Sequence, residues 1–194
     1  MHVLAYFICE NNKPLIQALD HLRVRREVRF REMVDRLKKQ GVTLDADFDA
    51  GRRVLGRRNL AELLLAQGKV GSIREAFQRY LRDGGVAAVE KTRLPVEQAL
   101  DLVRKAGGVA SLAHPSYHSG MEQDVKELAG FGLGALEVEY PEFTRSQKQS
   151  LRELAARYRL AISGGSDCHG PGNREVGSST ISSAELENLR HWSG

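Results

Sequence analysis

The 194-residue chain contains no run approaching the roughly 18 apolar residues that a membrane-spanning helix needs, so no membrane association is expected. Its opening, Met1-His2-Val3-Leu4-Ala5-Tyr6-Phe7-Ile8, lacks the basic region and small-residue cleavage site of a secretory leader. It reads instead as a buried strand that starts without lead-in. Cysteine is scarce: Cys9 and Cys168 stand far apart, in no CxxC or secreted-scaffold spacing. That predicts a reduced, cytoplasmic setting in which each thiol is a small packing residue rather than a ligand. Internal repeats and low-complexity segments are also missing. What remains is 41% hydrophobic and 28% charged, long enough for one substantial core and read as one domain with an inserted subdomain.

The formal charge is +4, and the basic residues cluster. Arg23, Arg25, Arg26, Arg29, Arg31, Arg36, Lys38 and Lys39 share one helical stretch; Arg52, Arg53, Arg57 and Arg58 follow. Such clusters suit an anionic substrate. The plainer reading is a solvated helix face, and it fits the first cluster well because Glu27, Glu32 and Asp35 interleave with the cations. The second cluster has fewer acidic neighbours.

Periodicity divides the chain into three stretches. Residues 1–13 hold a strand over 2–9, rich in β-branched and aromatic types, and a turn at Asn11-Asn12-Lys13-Pro14. Residues 14–94 read as helical. One helix runs from Leu15 to Gln40 and stops at Gly41; another covers Asn59 to Gln67; a third opens on the capping box Ser72-Ile73-Arg74-Glu75 and closes at Gly84-Gly85. From 95 to 194, helices of some ten residues alternate with the short apolar strands Val109–Ala113, Ala135–Val138 and Leu160–Ser163. Further capping boxes start at Thr144 and Ser182. This alternation predicts βα units and a parallel sheet.

The chemistry collects where these strands end. The first runs into His114-Pro115, and the third runs through Gly164-Gly165-Ser166 into Asp167-Cys168-His169-Gly170. C-terminal ends of parallel strands are where α/β folds hold ligands and metals. Imidazole with carboxylate suits zinc, manganese or iron, ions that promote hydrolysis near neutral pH. In an extended segment Asp167 and His169, two apart, would face the same side. Taken singly, His114 could simply be a hydrogen-bonding strand terminus, and Asp167 to His169 a polar turn; their shared position at strand ends joins them. Glu137 and Glu139 also lie two apart, so both point to the site or both away, as ligands or as an outer layer. His21, His118 and His191 read as surface residues.

The stretch Gly107 to Pro115 resembles the late His-Pro motif of the PHP (polymerase and histidinol phosphatase) family, and Gly164 to Gly170 resembles its closing Gly-Ser-Asp-x-His motif. His2-Val3-Leu4-Ala5-Tyr6 resembles the middle motif, in which a metal-binding His opens a strand. Arg57 to Leu81, with Gly84 beyond, is similar to the cap of members that hydrolyse nucleoside 3′,5′-bisphosphates and trim short 5′-phosphorylated RNA. The resemblance implies an incomplete, distorted (β/α)7 barrel with an inserted helical cap. It further implies divalent metal ions, manganese, zinc or iron, clustered in the family at the strand ends; His2, His114, Asp167 and His169 match metal ligands and are enough for one ion rather than a bridged cluster. Arg57 matches a cap position facing the substrate phosphate, and no catalytic group beyond the metal ligands is implied. The expected partners are a phosphorylated small molecule, nucleotide or short RNA, with no protein partner evident.

Several family features are missing. The opening His-x-His, the Ser-Asp-Gly that follows it, and the next His and Glu have no counterpart before His2, which suggests a start internal to a longer protein. The sheet should then show an uncovered edge. Asn59 and Phe143 stand where close relatives carry His. The expected activity is therefore hydrolysis of phosphate esters of nucleotides or short RNA 5′ ends. The alternatives are histidinol-phosphate hydrolysis and a catalytically silent fragment that only binds nucleotide.

Overall fold

A computed structural model describes residues 1–45, 55–115, 120–169 and 174–192. Arg52, Arg53, His118 and Gly170, singled out above, lie outside them. The chain divides into two units, Met1–Ile16 with Pro95–Gly194, and Gln17–Leu94.

The first unit is built on a four-stranded sheet: β1 (Val3–Tyr6), β2 (Val109–Leu112), β3 (Ala135–Glu139) and β4 (Ala161–Gly164), in that spatial order. β2, β3 and β4 are parallel, joined through α5 (Met121–Gly130) and α6 (Arg145–Arg157). β2 is fully buried, as expected of a parallel strand covered on both faces. The core gathers Leu100 and Val103 of α4 (Val96–Lys105), Val125 and Leu128 of α5, Leu151 and Leu154 of α6, and Leu112, Leu136 and Val138 of the strands. Two capping boxes, Thr144 with Gln147 and Ser182 with Glu185, start α6 and α7 (Ser183–His191) as the sequence predicts. The buried Ser111 and Ser163 hydroxyls satisfy each other at 2.7 Å, so β2 and β4 carry no unpaired hydroxyl into the core.

β1 departs from expectation. It covers four residues rather than eight, runs antiparallel to β2 and is half-buried, with Ala5 exposed. Among the described residues it has a strand partner on one side only, as does β4. An edge strand keeps one flank in solvent, so the apolar run that reads as buried is not. It ends where Phe7 turns to φ 56°. Both cysteines are exposed free thiols, not packing residues.

The second unit carries α1 (Lys13–Lys39, shared with the first), α2 (Arg57–Ala66) and α3 (Ile73–Ala76), which runs into a π-helical turn at Phe77–Leu81. Phe30, Met33, Leu37, Leu60, Leu64 and Leu81 form its separate core. The capping box at Ser72 is only half made. Ser72 accepts from the Glu75 N–H, but the Glu75 carboxylate takes the N–H of Gly71 instead. No helix among the described residues is long and apolar enough to cross a membrane.

Leu136 is completely buried at the centre of the first core. Leu136→Ala should therefore cost about 2–5 kcal/mol in urea unfolding. Val176→Ala, at a side chain 86% exposed, should stay within about 0.5 kcal/mol.

Candidate metal centre

Because β2, β3 and β4 are parallel, their C-terminal ends share one rim. Because β1 is antiparallel to β2, its beginning lies at that same rim. Val3 pairs with Leu112, and the His2 carbonyl accepts the Ala113 N–H at 3.1 Å. This register brings His2 to His114: Nδ1 of one stands 3.2 Å from Nε2 of the other, with ring planes at 83°. Two nitrogens bound at about 2.0–2.1 Å to one tetrahedral zinc lie about 3.3 Å apart, so the spacing is that of two ligands of one ion.

His114 sits at φ 35° and Asp167 at φ 49°, both in the left-handed region that costs non-glycine residues energy. Strain at two of the four predicted ligands, each just past a strand, marks this rim as more than a set of loop connections. The turn at Asp167 also undoes the argument from extended spacing. The Asp167 carboxylate points inward, accepting from the Tyr140 hydroxyl at 2.9 Å and from Arg174 at 2.7 Å. His169 is exposed; its Nδ1 lies 2.8 Å from the Asp167 carbonyl and 3.7 Å from the Asp167 carboxylate. The two do come together, through a fold-back rather than a shared strand face.

Glu137 and Glu139 go separate ways, against the expectation that they share a direction. A register shift falls between them where β3 meets β4. Gly164 sits opposite, so close that an added Cβ would lie 2.5 Å from that of Glu139. Glu139 binds Lys148 and Arg152 of α6, at 2.7 and 2.8 Å, and Arg152 goes on to Glu185 of α7. It is a structural tie. Glu137 is buried and accepts the backbone N–H of His114 at 2.7 Å, which holds the strained His114 in place. Burial pushes the Glu137 carboxyl above its ordinary pKa; the His114 N–H partly opposes this, and the Asp167 charge adds to it.

At Asp167, burial acts upward, but the bonds from Tyr140 and Arg174 and the charges of His169 and Arg174 outweigh it and hold the carboxyl low. Burial and the bond to Asp167 push Tyr140 up to about 12, so it remains a donor at neutral pH. Arg174 also pairs with Glu142 and stacks over the Tyr140 ring at 4.8 Å. Sequence reasoning missed Tyr140, Glu142 and Arg174. No spacing pattern links them, since their common ground is the loop rim itself.

The donor set fits a divalent cation in kind: two imidazoles at ligand spacing, with Asp167, His169 and Glu137 on the same rim. Among the described residues, however, no three His, Cys, Asp or Glu side chains are placed to hold one ion together. A cation binding Asp167 would have to displace Arg174. Arg57 belongs to the other unit, where its guanidinium bonds Asp83 at 2.6 Å and the Leu81 carbonyl at 3.2 Å.

No family model matches the chain. It is 28% identical over 180 residues to a 5′-3′ exoribonuclease of Haemophilus influenzae, covering 88% of this chain and 65% of that protein. It is 27% identical over 175 residues to a phosphoribosyl 1,2-cyclic phosphate 1,2-diphosphodiesterase of Eggerthella lenta, covering 88% and 66%. The chain thus spans just under two thirds of the length of these relatives. A crystal structure of a metal-dependent phosphoesterase from Bifidobacterium adolescentis superposes with a TM-score of 0.82 at 24% identity, over 98% of this chain and 71% of that one. The chain has that fold.

Burial would raise the Glu139 carboxyl, but its bonds to Lys148 and Arg152 prevail and hold it below the ordinary value of 4.5. A depressed folded pKa contributes stability above the unfolded value and loses it as pH falls through the folded one. The wild-type urea midpoint should therefore drop more steeply below about pH 4.5 than that of Glu139→Gln, and equal acid slopes would remove Glu139 as the tie.

Proposed function

We propose that this chain carries the metal-binding half-rim of a PHP-type phosphoesterase that hydrolyses phosphate esters of nucleotides or of short RNA 5′ ends. The observation that carries the reading is the convergence of His2 and His114 at ligand spacing on the rim where Asp167 and His169 also lie. The two relatives support it, since their names describe an exoribonuclease and a cyclic-phosphate diphosphodiesterase, both acting on ribose phosphate esters. So does the fold shared with a metal-dependent phosphoesterase.

In this reading His2, His114, Asp167 and His169 hold a divalent ion, manganese, zinc or iron, within a distorted (β/α) barrel whose helical stretch forms a cap. When bound, the ion supplies an activated water and neutralises phosphoryl oxygens. The chain's own groups do the positioning. Glu137 fixes the His114 backbone, and so the direction of its ring. Tyr140 and Arg174 hold the Asp167 carboxylate ionised and oriented toward the rim. Arg57 supplies a fork-shaped cation for the substrate phosphate, held at a fixed angle by Asp83 and the Leu81 carbonyl.

Titration of the purified chain with Mn²⁺ should show saturable binding that weakens by about 10–100-fold in Glu137→Gln, through the lost hold on His114. His114→Ala should weaken it at least as much. With Mn²⁺ present, phosphate release from adenosine 3′,5′-bisphosphate, or 5′-nucleotide release from a short 5′-phosphorylated RNA, should exceed phosphate release from histidinol phosphate. Unaltered Mn²⁺ binding in His114→Ala would overturn the metal assignment, and preference for histidinol phosphate would overturn the substrate class.

A further inference from the structure

Three of the nine cations of α1 have the carboxylate partners a solvated helix face would give them. Arg31 pairs with Glu27, Arg36 with Glu32 and Arg23 with Asp20. Arg25, Arg26 and Arg29 break this pattern. Beside them runs a strap without regular secondary structure, residues 88–95, tied to α1 by side chain to backbone bonds: Arg36 donates to the Ala88 carbonyl and Arg29 to the Val89 carbonyl, the latter at 2.9 Å. The tie sets Lys91 and Arg93 beside the helix. Arg25, Glu90, Lys91, Thr92 and Arg93 then line a cavity of about 530 Å³, within the ordinary range of ligand sites.

The charge there is lopsided. Burial, and then the charges of Arg26, Arg93, Arg29 and Arg57, hold the Lys91 ammonium below its usual pKa although the side chain reaches solvent. Arg29 is lowered too, by burial and by Arg57 and Arg26, with Asp83 opposing. Six cationic groups therefore share the neighbourhood with the carboxylates of Asp83 and Glu90. Among the described residues no carboxylate forms an ion pair with Arg25, Arg26, Lys91 or Arg93. Like charges gathered at a cavity and left unneutralised destabilise the folded unit unless an anion answers them. One phosphate would not answer four unpaired cations. The lining holds no aromatic ring, so it offers no platform on which a base could stack.

We propose that the cavity between α1 and the 88–95 strap is a binding site for an oligophosphate chain, reading two or more consecutive phosphates and not the bases attached to them. Arg25, Lys91 and Arg93 contact the phosphates; Arg29, fixed to the strap, shapes the site. The proposal does not rest on hydrolysis. Its ligand chemistry has two sources, the backbone of a single-stranded nucleic acid and a free oligophosphate.

Binding is measured on the whole chain in EDTA, so that turnover does not enter, by fluorescence anisotropy of a labelled eight-nucleotide single-stranded RNA with inorganic triphosphate as competitor. R25E/R93E should weaken RNA binding at least tenfold, and the slope of log affinity against log salt should flatten by about 1.4, the effect of two phosphate contacts on a single strand. R93Q, a milder change at an exposed side chain, should weaken it about threefold, and thermal unfolding verifies that both variants remain folded. K38E/K39E reverses two exposed charges about 20 Å further along α1 and should stay within twofold. Triphosphate should displace the RNA; tighter triphosphate binding assigns the site to free oligophosphate, tighter RNA binding to a strand. Equal losses in R25E/R93E and K38E/K39E would reduce the effect to diffuse charge and overturn the site. Failure of triphosphate to compete, or absence of RNA binding in the wild type, would overturn it as well.

Discussion

The pairing of β1 against β2 decides what the rim can be. Were β1 parallel to its neighbour, its first residue would lie at the opposite end of the sheet and His2 would be a surface residue far from His114. Antiparallel pairing, with Val3 opposite Leu112, puts the start of one strand against the finish of the other. A shift of one residue would exchange the two faces of β1 and send Val3 and Tyr6 each to the other's cluster, so the register is set by packing on both faces rather than by the histidines. Val3 and Ile8 pack against the central cluster, and Tyr6 against Val109, Ala135 and Leu189. Hydrophobic burial thus does the positioning, and the imidazoles are carried to their meeting point by it.

The irregularity between β3 and β4 has a similar consequence. A regular strand would send Glu137 and Glu139 to the same face and crowd two carboxylates near Asp167. The register shift, made possible by the bare backbone of Gly164, diverts Glu139 to Lys148 and Arg152. There its charge is neutralised and links β3 to α6 and α7. Glu137 stays at the rim, where burial makes its ionised form costly and the His114 N–H offsets part of that cost. A regular ladder would not give one carboxylate to stability and one to the site.

Much of this was legible in the sequence and some was not, for identifiable reasons. Helix positions followed from periodicity and caps, and the boxes at Thr144 and Ser182 are closed as written. The three parallel strands followed from apolar runs alternating with helices. Local chemistry misled where tertiary context overrode it. β1 reads as buried because its residues are apolar, yet an edge strand is half in water. Glu75 turned to Gly71 instead of closing the Ser72 box. Asp167 and His169 meet, but through a left-handed turn that an extended-strand argument forbids. Tyr140, Glu142 and Arg174 had no signal at all. An arginine that pairs with Asp167 from a separate loop is visible only once the loops are placed.

The same contrast bears on the basic residues of α1. Spacing of three or four from an acidic residue accounts for Arg23, Arg31 and Arg36, and such exposed pairs are worth a few tenths of a kcal/mol each. On sequence alone the whole cluster can be read this way. The structure separates it, because Arg36 donates both to Glu32 and to the Ala88 carbonyl, so one guanidinium belongs to the solvated face and to the strap at once. Through that double engagement the ordinary part of the helix holds in place the part that is not ordinary, where Lys91 and Arg93 lie near Arg25 and Arg26 and, among the described residues, none of the four is in an ion pair. A helix selected only for solubility would have no reason to anchor further cations against its own.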